Sequence, residues 1–143
     1  MAEYAYEYTY RRYEKIYIAQ ELLNKAIELF EMGDNYFASL HLAGAAEEVL
    51  GKILEAKGIE NSLQSQKRAF IEINKLNGRH ISKRHAAAFL NRSKNAIKHL
   101  DYTKEADFCV DLDAKEEARD LIKRAISNCW KLEIELSPAM MSF

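Results

Sequence analysis

The sequence predicts an all-α fold, an up-and-down bundle of four to five helices. One proline and five glycines among 143 residues leave long helices almost uninterrupted. Apolar residues recur at helical spacing along most of the chain, and capping residues stand where those segments begin. The length fits a single domain. We therefore expect one helical domain over residues 15–136, between an extended tyrosine-rich segment at 1–14 and a tail at 137–143.

The first two helices are predicted to form an antiparallel hairpin. The first spans about 15–32 and ends at Gly33, where glycine terminates a helix at little steric cost. Asp34 is expected to cap the second helix, which continues to about Lys57. A connection of two residues leaves no room for any other arrangement of the two helices.

The second helix has a broad apolar face and a narrow polar stripe. More than half of this helix is predicted to be buried, with Leu42, Ala45, Ala46, Val49, Ile53 and Ala56 on one face and Ala43, Leu50 and Leu54 on the next. Gly44 and Gly51 lie in the polar stripe, although each costs up to about 1 kcal/mol relative to alanine in a helix. We interpret the pair as a sign that another helix or a second chain packs closely there.

Three more helices follow. The third is expected over about 62–76, and the fourth from a Ser82 cap to about Leu100. Asp113 and Glu116 form a capping box for the fifth helix, which is expected to continue to about Leu136.

Composition excludes several classes of protein. No apolar run approaches the roughly 20 residues that cross a bilayer, and the N-terminus lacks the basic start and apolar stretch of a signal peptide. We expect a cytoplasmic protein with no membrane association. The two cysteines, Cys109 and Cys129, lie in apolar stretches and are predicted to be buried thiols. Before them, Tyr4, Tyr6, Tyr8 and Tyr10 alternate along the chain, which favours an extended segment.

Charge is distributed unevenly along the chain. The net charge is −1, yet residues 64–104 hold ten Lys or Arg against two acids, a local balance of +8. A basic segment of this kind suits a polyanionic partner such as RNA. Pairing with the acidic flanks, or a simply solvated face, remains the alternative.

The predicted fourth helix carries the most informative polar residues. His85, Arg92 and His99 recur every seven residues and so lie close to one line, with Asn95 about 60° away. Ala86, Leu90, Ile97 and Leu100 are expected to form the core face, whereas Lys83, Lys94 and Lys98 occupy the outer side. Arg, His and Asn on one stripe suggest a site, because a merely soluble surface is satisfied by Lys and Glu.

This set of residues suits metal-independent cleavage of RNA, which carries its own nucleophile. A neutral His99 would accept the proton of a ribose 2′-hydroxyl, since histidine titrates near neutral pH. Arg92 would hold two phosphate oxygens and stabilise the charge that builds on phosphorus. Asn95 would orient the histidine or the phosphate. The products would be a 2′,3′-cyclic phosphate and a 5′-hydroxyl.

Six further residues are predicted to assist this site. RNA contacts are expected from Arg84, His85, Lys94 and Lys98, all within the basic segment. His41 and Glu48, on the polar stripe of the second helix, are expected to support the site without touching RNA. No Glu is followed three residues later by His, and no glycine-rich phosphate loop occurs, so no metal and no cofactor is predicted.

The segment Arg92-Ser93-Lys94-Asn95-Ala96-Ile97-Lys98-His99 resembles the motif of HEPN domains, in which four to six residues separate an arginine from a histidine. The alanine-rich, glutamate-bearing helix over residues 37–54 is also similar to that of small prokaryotic HEPN proteins. The similarity covers about 15–136. It implies a homodimeric helical bundle in which the Arg and His of both subunits meet in one cleft. It also implies ribonuclease activity of toxin or defence type, with Arg92 and His99 catalytic, Asn95 supporting, and an antitoxin or other partner protein.

A non-catalytic reading of the same residues stays open. HEPN domains include members that bind without cutting. In that case the chain would be a dimeric helical module that binds RNA or a partner protein, and Arg92, Asn95 and His99 would form a hydrogen-bonded set at the dimer seam.

Overall fold

The computed structural model describes residues 9–101, 103–105 and 107–143, and within them the chain forms α-helices and no strand. The helices are α1 (Lys15–Met32), α2 (Tyr36–Ala56), α3 (Ser62–Leu76), α4 (Lys83–Leu90), α5 (Arg92–Ala96), α6 (Ala114–Lys131) and α7 (Pro138–Ser142). An all-helical bundle is therefore confirmed. Residues 1–8, which include Tyr4, Tyr6 and Tyr8, lie outside the described part of the chain. None of the described helices is both long enough and apolar enough to cross a membrane.

Helices α1, α2 and α6 form the core, with α2 packed against both of the others. Leu23, Leu40, Leu50 and Ile122 are fully buried in this core, and burial of each such side chain stabilises the fold by about 1.5–3 kcal/mol. The hydroxyl of Ser39 donates to the Ala26 carbonyl at 2.7 Å and ties α2 to α1. Helices α3 and α4 form a hairpin beside this core.

The predicted caps account for most of the observed boundaries. Helix α1 has the predicted bounds and ends at Gly33, whose φ of 87° is left-handed. The Ser82 hydroxyl accepts from the His85 N–H, and Asp113 accepts from the Glu116 N–H, both at 3.1 Å. The expected Asp34 cap is wrong, because Asn35 precedes α2 and makes no side-chain cap bond.

The apolar face of α2 is rotated from the predicted one. The residues that face the core are Ser39, Leu40, Ala43, Gly44, Ala46, Glu47, Leu50, Gly51 and Leu54. Of the residues predicted to be buried, Ala43, Ala46, Leu50 and Leu54 are fully buried, whereas Val49 and Ile53 are half-buried and Ala56 is exposed. The buried face of α2 includes Glu47 and the glycines, because Glu47 has buried cationic partners in α5 and α6.

The C-terminal segment is also more ordered than the predicted tail. Helix α6 ends at Lys131, where Glu133 adopts a left-handed φ of 58° and the Ile134 N–H bonds the Cys129 carbonyl. Ser137 then caps α7, with proline at a first-turn position where it is well tolerated. The Phe143 ring packs edge-on against Phe30 at 5.2 Å, so this segment folds onto the bundle.

A buried asparagine joins three elements. Asn128 on α6 is fully buried and donates to the Glu47 carbonyl at 3.2 Å. Its Oδ1 accepts from the N–H and the hydroxyl of Ser62, at 2.9 Å and 2.8 Å, at the start of α3. We expect Asn128→Ala to lower the free energy of unfolding by about 2–4 kcal/mol, since it strands buried donors.

Urea unfolding followed by circular dichroism measures this effect. Asn95→Ala is the control, since Asn95 is exposed and its side chain makes no hydrogen bond within the described residues. Equal midpoints for the two variants would show that Asn128 is not a structural junction.

Candidate functional site

A helix break at Asn91 shapes the candidate site. The predicted fourth helix is interrupted there and becomes α4 and α5. The Arg124 guanidinium enters the break, donating from Nη1 to the Leu90 carbonyl and from Nη2 to the Asn91 Oδ1, both at 3.0 Å. A side chain that takes a helical carbonyl in this way bends or breaks the helix. The prediction of one continuous helix to Leu100 is therefore wrong, and Leu100 is 59% exposed.

Arg92, at the start of α5, is exposed, but its guanidinium is fixed by contacts within the chain. Its Nη1 donates to the Phe89 carbonyl at 2.8 Å, and its Nη2 pairs with the Glu117 carboxylate of α6 at 2.6 Å. The guanidinium also lies 4.1 Å from the Phe89 ring centroid. Its side chain keeps 51% of its surface exposed, so the group is oriented at the surface with donors left over.

Asn95 and His99 follow Arg92 along the chain. Arg92 and Asn95 are one turn apart on α5, which places them on one side of that helix. His99 lies beyond the end of α5 at Ala96, where its N–H still donates to the Asn95 carbonyl at 3.1 Å. Both Asn95 and His99 are exposed, and within the described residues neither side chain makes a hydrogen bond.

The loop after His99 begins with a fixed turn. Asp101 accepts from the Thr103 N–H at 3.1 Å and from its hydroxyl at 2.5 Å. These two hydrogen bonds lower the pKa of the Asp101 carboxyl below its usual value. The carboxylate therefore stays charged at neutral pH.

Lys94 corrects the prediction most clearly. It was expected on the outer side of the helix, yet it is only 6% exposed. Ser93 and Lys94 are the buried residues of α5, which packs against α2. The Lys94 ammonium lies 3.3 Å from Glu47 and 3.4 Å from Glu48.

Glu47 is the centre of this buried ionic cluster. Its carboxylate lies between Lys94 and the guanidinium of Arg124, which is 3.4 Å away, and all three residues are buried. A polar cleft of about 310 Å³ opens beside the cluster, with Asn91 and Glu48 in its wall. Because the buried charges pair with one another, the cluster holds α5 and α6 against α2.

The two glycines of the polar stripe of α2 pack closely against other side chains, and only Gly44 lies against the ionic cluster. A Cβ on Gly44 would come within 3.0 Å of the Lys94 stem, and one on Gly51 within 3.2 Å of the Asn61 amide nitrogen. Close packing at these glycines is therefore confirmed. The neighbours are side chains of this chain, so the glycines lend no weight to a second copy.

The other predicted site residues lie apart. Arg84 and His85 are exposed on α4, before the break at Asn91. His41 is exposed on α2. Glu48 is half exposed and pairs with Lys94, while Lys98 lies 4.0 Å from the same carboxylate. Among the described residues no group of three or more His, Cys, Asp or Glu side chains is placed to hold a metal ion.

The cysteines differ from each other. Cys129 is fully buried in α6, and burial raises the pKa of its thiol to about 11. Cys109 is exposed, which corrects the prediction that both thiols are buried, and its Sγ donates to the Asp107 carbonyl at 3.4 Å. In α6, partial burial and the nearby Glu117 and Glu116 raise the pKa of the Asp120 carboxyl.

Several structurally important residues were missed from the sequence. Glu47, Asn91, Glu117, Arg124 and Asn128 all contact the segment from α4 to α5 or its partners. A signal for two of them existed. Arg124 and Asn128 are spaced i, i+4 within the apolar face of α6, and a charged or amide residue on such a face requires a buried partner.

The comparisons leave the family of this chain open. Neither models of known protein families, nor curated proteins, nor solved structures gave a match to this sequence or fold.

Proposed function

We propose that this chain is a metal-independent endoribonuclease of the HEPN type, acting in a toxin or defence system. The observation that carries the proposal is the exposed set formed by Arg92 and Asn95 on α5 and His99 just beyond it, three polar residues within eight positions of the chain. These three residue types supply a base, an anion-stabilising group and an orienting amide. Such a set suits transesterification of RNA.

In this mechanism His99 takes the proton of a ribose 2′-hydroxyl, and the 2′ oxygen attacks the adjacent phosphorus. The 5′ oxygen leaves and takes a proton from water. The Arg92 guanidinium, oriented by Phe89 and Glu117, uses its remaining N–H groups on the phosphate oxygens. Asn95 orients the phosphate from the next turn. No cofactor takes part.

The proposal includes a homodimer, because the resemblance to HEPN domains implies a cleft built from the Arg and His of two subunits. Light scattering of the purified protein would give the mass of a dimer. An antitoxin or other partner protein would cover this cleft and restrain the activity.

One observation favours a second candidate function, a non-catalytic helical module that binds RNA or a partner protein. Arg92 already has an anionic partner in Glu117 at 2.6 Å. An ion pair of this kind also occurs where arginine serves only to join two helices.

A cleavage assay separates the two functions. The protein is incubated with total RNA in the presence of a chelator, and the product ends are identified. We expect 2′,3′-cyclic phosphate and 5′-hydroxyl ends. Arg92→Ala should lower the rate by about 10²–10³-fold, the usual cost of losing one transition-state donor.

Arg119→Ala is the matched control, because Arg119 is also a partly exposed arginine in an ion pair, with Glu116, and it lies on α6, outside the α3–α4 hairpin. It should cleave at the wild-type rate. If the wild type does not cut RNA, or if both arginine variants cut equally well, the binding module becomes the better description.

A further inference from the structure

The basic segment separates into two groups in the structure. Five of its ten cations have acidic partners among the described residues, namely Arg68, Arg92, Lys94, Lys98 and Lys104. The other five have no hydrogen-bond or ion-pair partner in the described part of the chain, and they are Lys67, Lys75, Arg79, Lys83 and Arg84. All five of these lie between residues 62 and 90, on the α3–α4 hairpin.

The hairpin is strongly basic compared with the remainder of the protein. Residues 62–90 hold six Lys or Arg and a single acid, Glu72, a net charge of +5. Because the whole chain has a net charge of −1, the remainder carries −6. A surface with this separation of charge attracts a polyanion and orients it toward one end of the molecule.

The free cations are accessible from solvent. Lys75, Arg79, Lys83 and Arg84 are exposed, and Lys67 is half-buried. Lys67 and Lys83 line one cleft of about 420 Å³ between α3 and α4, together with Arg68 and the carboxylates of Glu60 and Glu72. The first turn of α4 contains Lys83 and Arg84 but no acid, so like charges crowd the positive end of that helix. A bound anion would relieve this repulsion.

The hairpin is poorly equipped to bind bases. Its aromatic residues are Phe70 and Phe89, whose rings stack on each other at 4.8 Å. Arg92 also lies over the Phe89 ring. Stacking on open aromatic rings is the usual way in which single-stranded bases are held, and the hairpin offers little of it. The exposed Lys and Arg side chains of the hairpin are suited instead to contacts with phosphate groups, which are present in every RNA sequence.

We propose that the α3–α4 hairpin is the docking surface for the phosphate backbone of the RNA, separate from the face that cuts it. The inference rests on the proposed function in taking RNA as the polyanion. Binding at the hairpin is independent of base sequence. Any choice of cleavage position comes from the site that carries Arg92, Asn95 and His99.

The test measures binding by fluorescence anisotropy over a series of KCl concentrations. All proteins in this test also carry His99→Ala, so that the labelled stem-loop RNA is not cleaved during the measurement. The charge-removal variant carries Lys75→Gln, Arg79→Gln, Lys83→Gln and Arg84→Gln. The control removes equal charge elsewhere, with Lys25→Gln, Lys57→Gln, Lys115→Gln and Lys123→Gln. Thermal unfolding checks that both variants remain folded.

We expect the slope of log Kd against log salt to fall by about 3 in the hairpin variant, since each lost phosphate contact removes roughly 0.7–0.9. The control should keep the parent slope. Two stem-loop RNAs of unrelated sequence should bind equally well to the parent protein.

Three outcomes overturn the inference. The hairpin variant keeps the parent affinity and slope; the parent protein does not bind RNA; or phosphatidylserine vesicles bind in preference to RNA. Cleavage by the protein with an intact His99 is measured separately. If the protein cleaves RNA but the hairpin variant binds RNA as the parent does, only the docking surface is ruled out. If binding depends on the hairpin but no RNA is cleaved, the ribonuclease activity is ruled out.

Discussion

His99→Ala is expected to lower the rate of RNA cleavage by about 10²–10⁴-fold, the usual contribution of a positioned general base. The stability of the protein should not change, because the His99 side chain is exposed and has no hydrogen bond within the described residues. The loss would therefore report chemistry and not unfolding. Single-turnover cleavage of a short labelled RNA, with chelator present, measures the rate.

His80→Ala is the matched control, since His80 is an exposed histidine of the same basic segment. It should cut at the wild-type rate. A substrate with a 2′-deoxyribose at the cleaved position should resist the wild-type protein completely, because the attacking oxygen is missing. Unchanged cleavage by His99→Ala, or cleavage of the deoxy substrate, would remove His99 from the mechanism.

Local signals in the sequence predicted the helix boundaries well. Helices α1 and α3 have the predicted bounds, because glycine or capping residues determine each end within a few positions along the chain. The Ser82 and Asp113 caps are confirmed for the same reason. The third helix also has an Asn61–Gln64 capping box that was not predicted.

The break at Asn91 depended on a residue far away in the chain. Arg124, 33 positions beyond Asn91, takes the Leu90 carbonyl, and no local pattern indicates this. The prediction put Lys94 on the surface as a charged residue, although a continuous wheel places it about 40° from the apolar Leu90. Arg92 and Asn95 keep their helical spacing because both lie in α5, whereas His99 lies three residues beyond the end of that helix.

The rotation of α2 has the same origin. A wheel weighted by apolar residues cannot place Glu47 in the core, because a buried carboxylate is favourable only when specific cations meet it. Those cations, Lys94 and Arg124, come from two other helices. The prediction therefore identified the helix and its close packing at the glycines, but it did not place Glu47 on the buried face of the helix.

The buried ionic cluster makes Glu47→Gln the substitution with the largest expected effect on stability. It would leave Lys94 and Arg124 buried without their shared anion, so the free energy of unfolding should fall by about 3–5 kcal/mol. For a chain of this length the melting temperature would fall by roughly 10 °C or more, which differential scanning fluorimetry measures.

The comparison with Glu55→Gln tests whether burial is the cause. Glu55 pairs with Lys52 at 3.2 Å, but its side chain is 51% exposed, so its loss should cost less than about 0.5 kcal/mol. Lys94→Met should cost less than Glu47→Gln, since Glu47 would keep Arg124. Adding Lys94→Met to Glu47→Gln should restore part of the stability, because it removes a buried cation whose remaining partner, Glu48, is half exposed. If the double variant is instead as unstable as the sum of the two single variants, the three charges do not act as one cluster, and α5 must be held against α2 by packing alone.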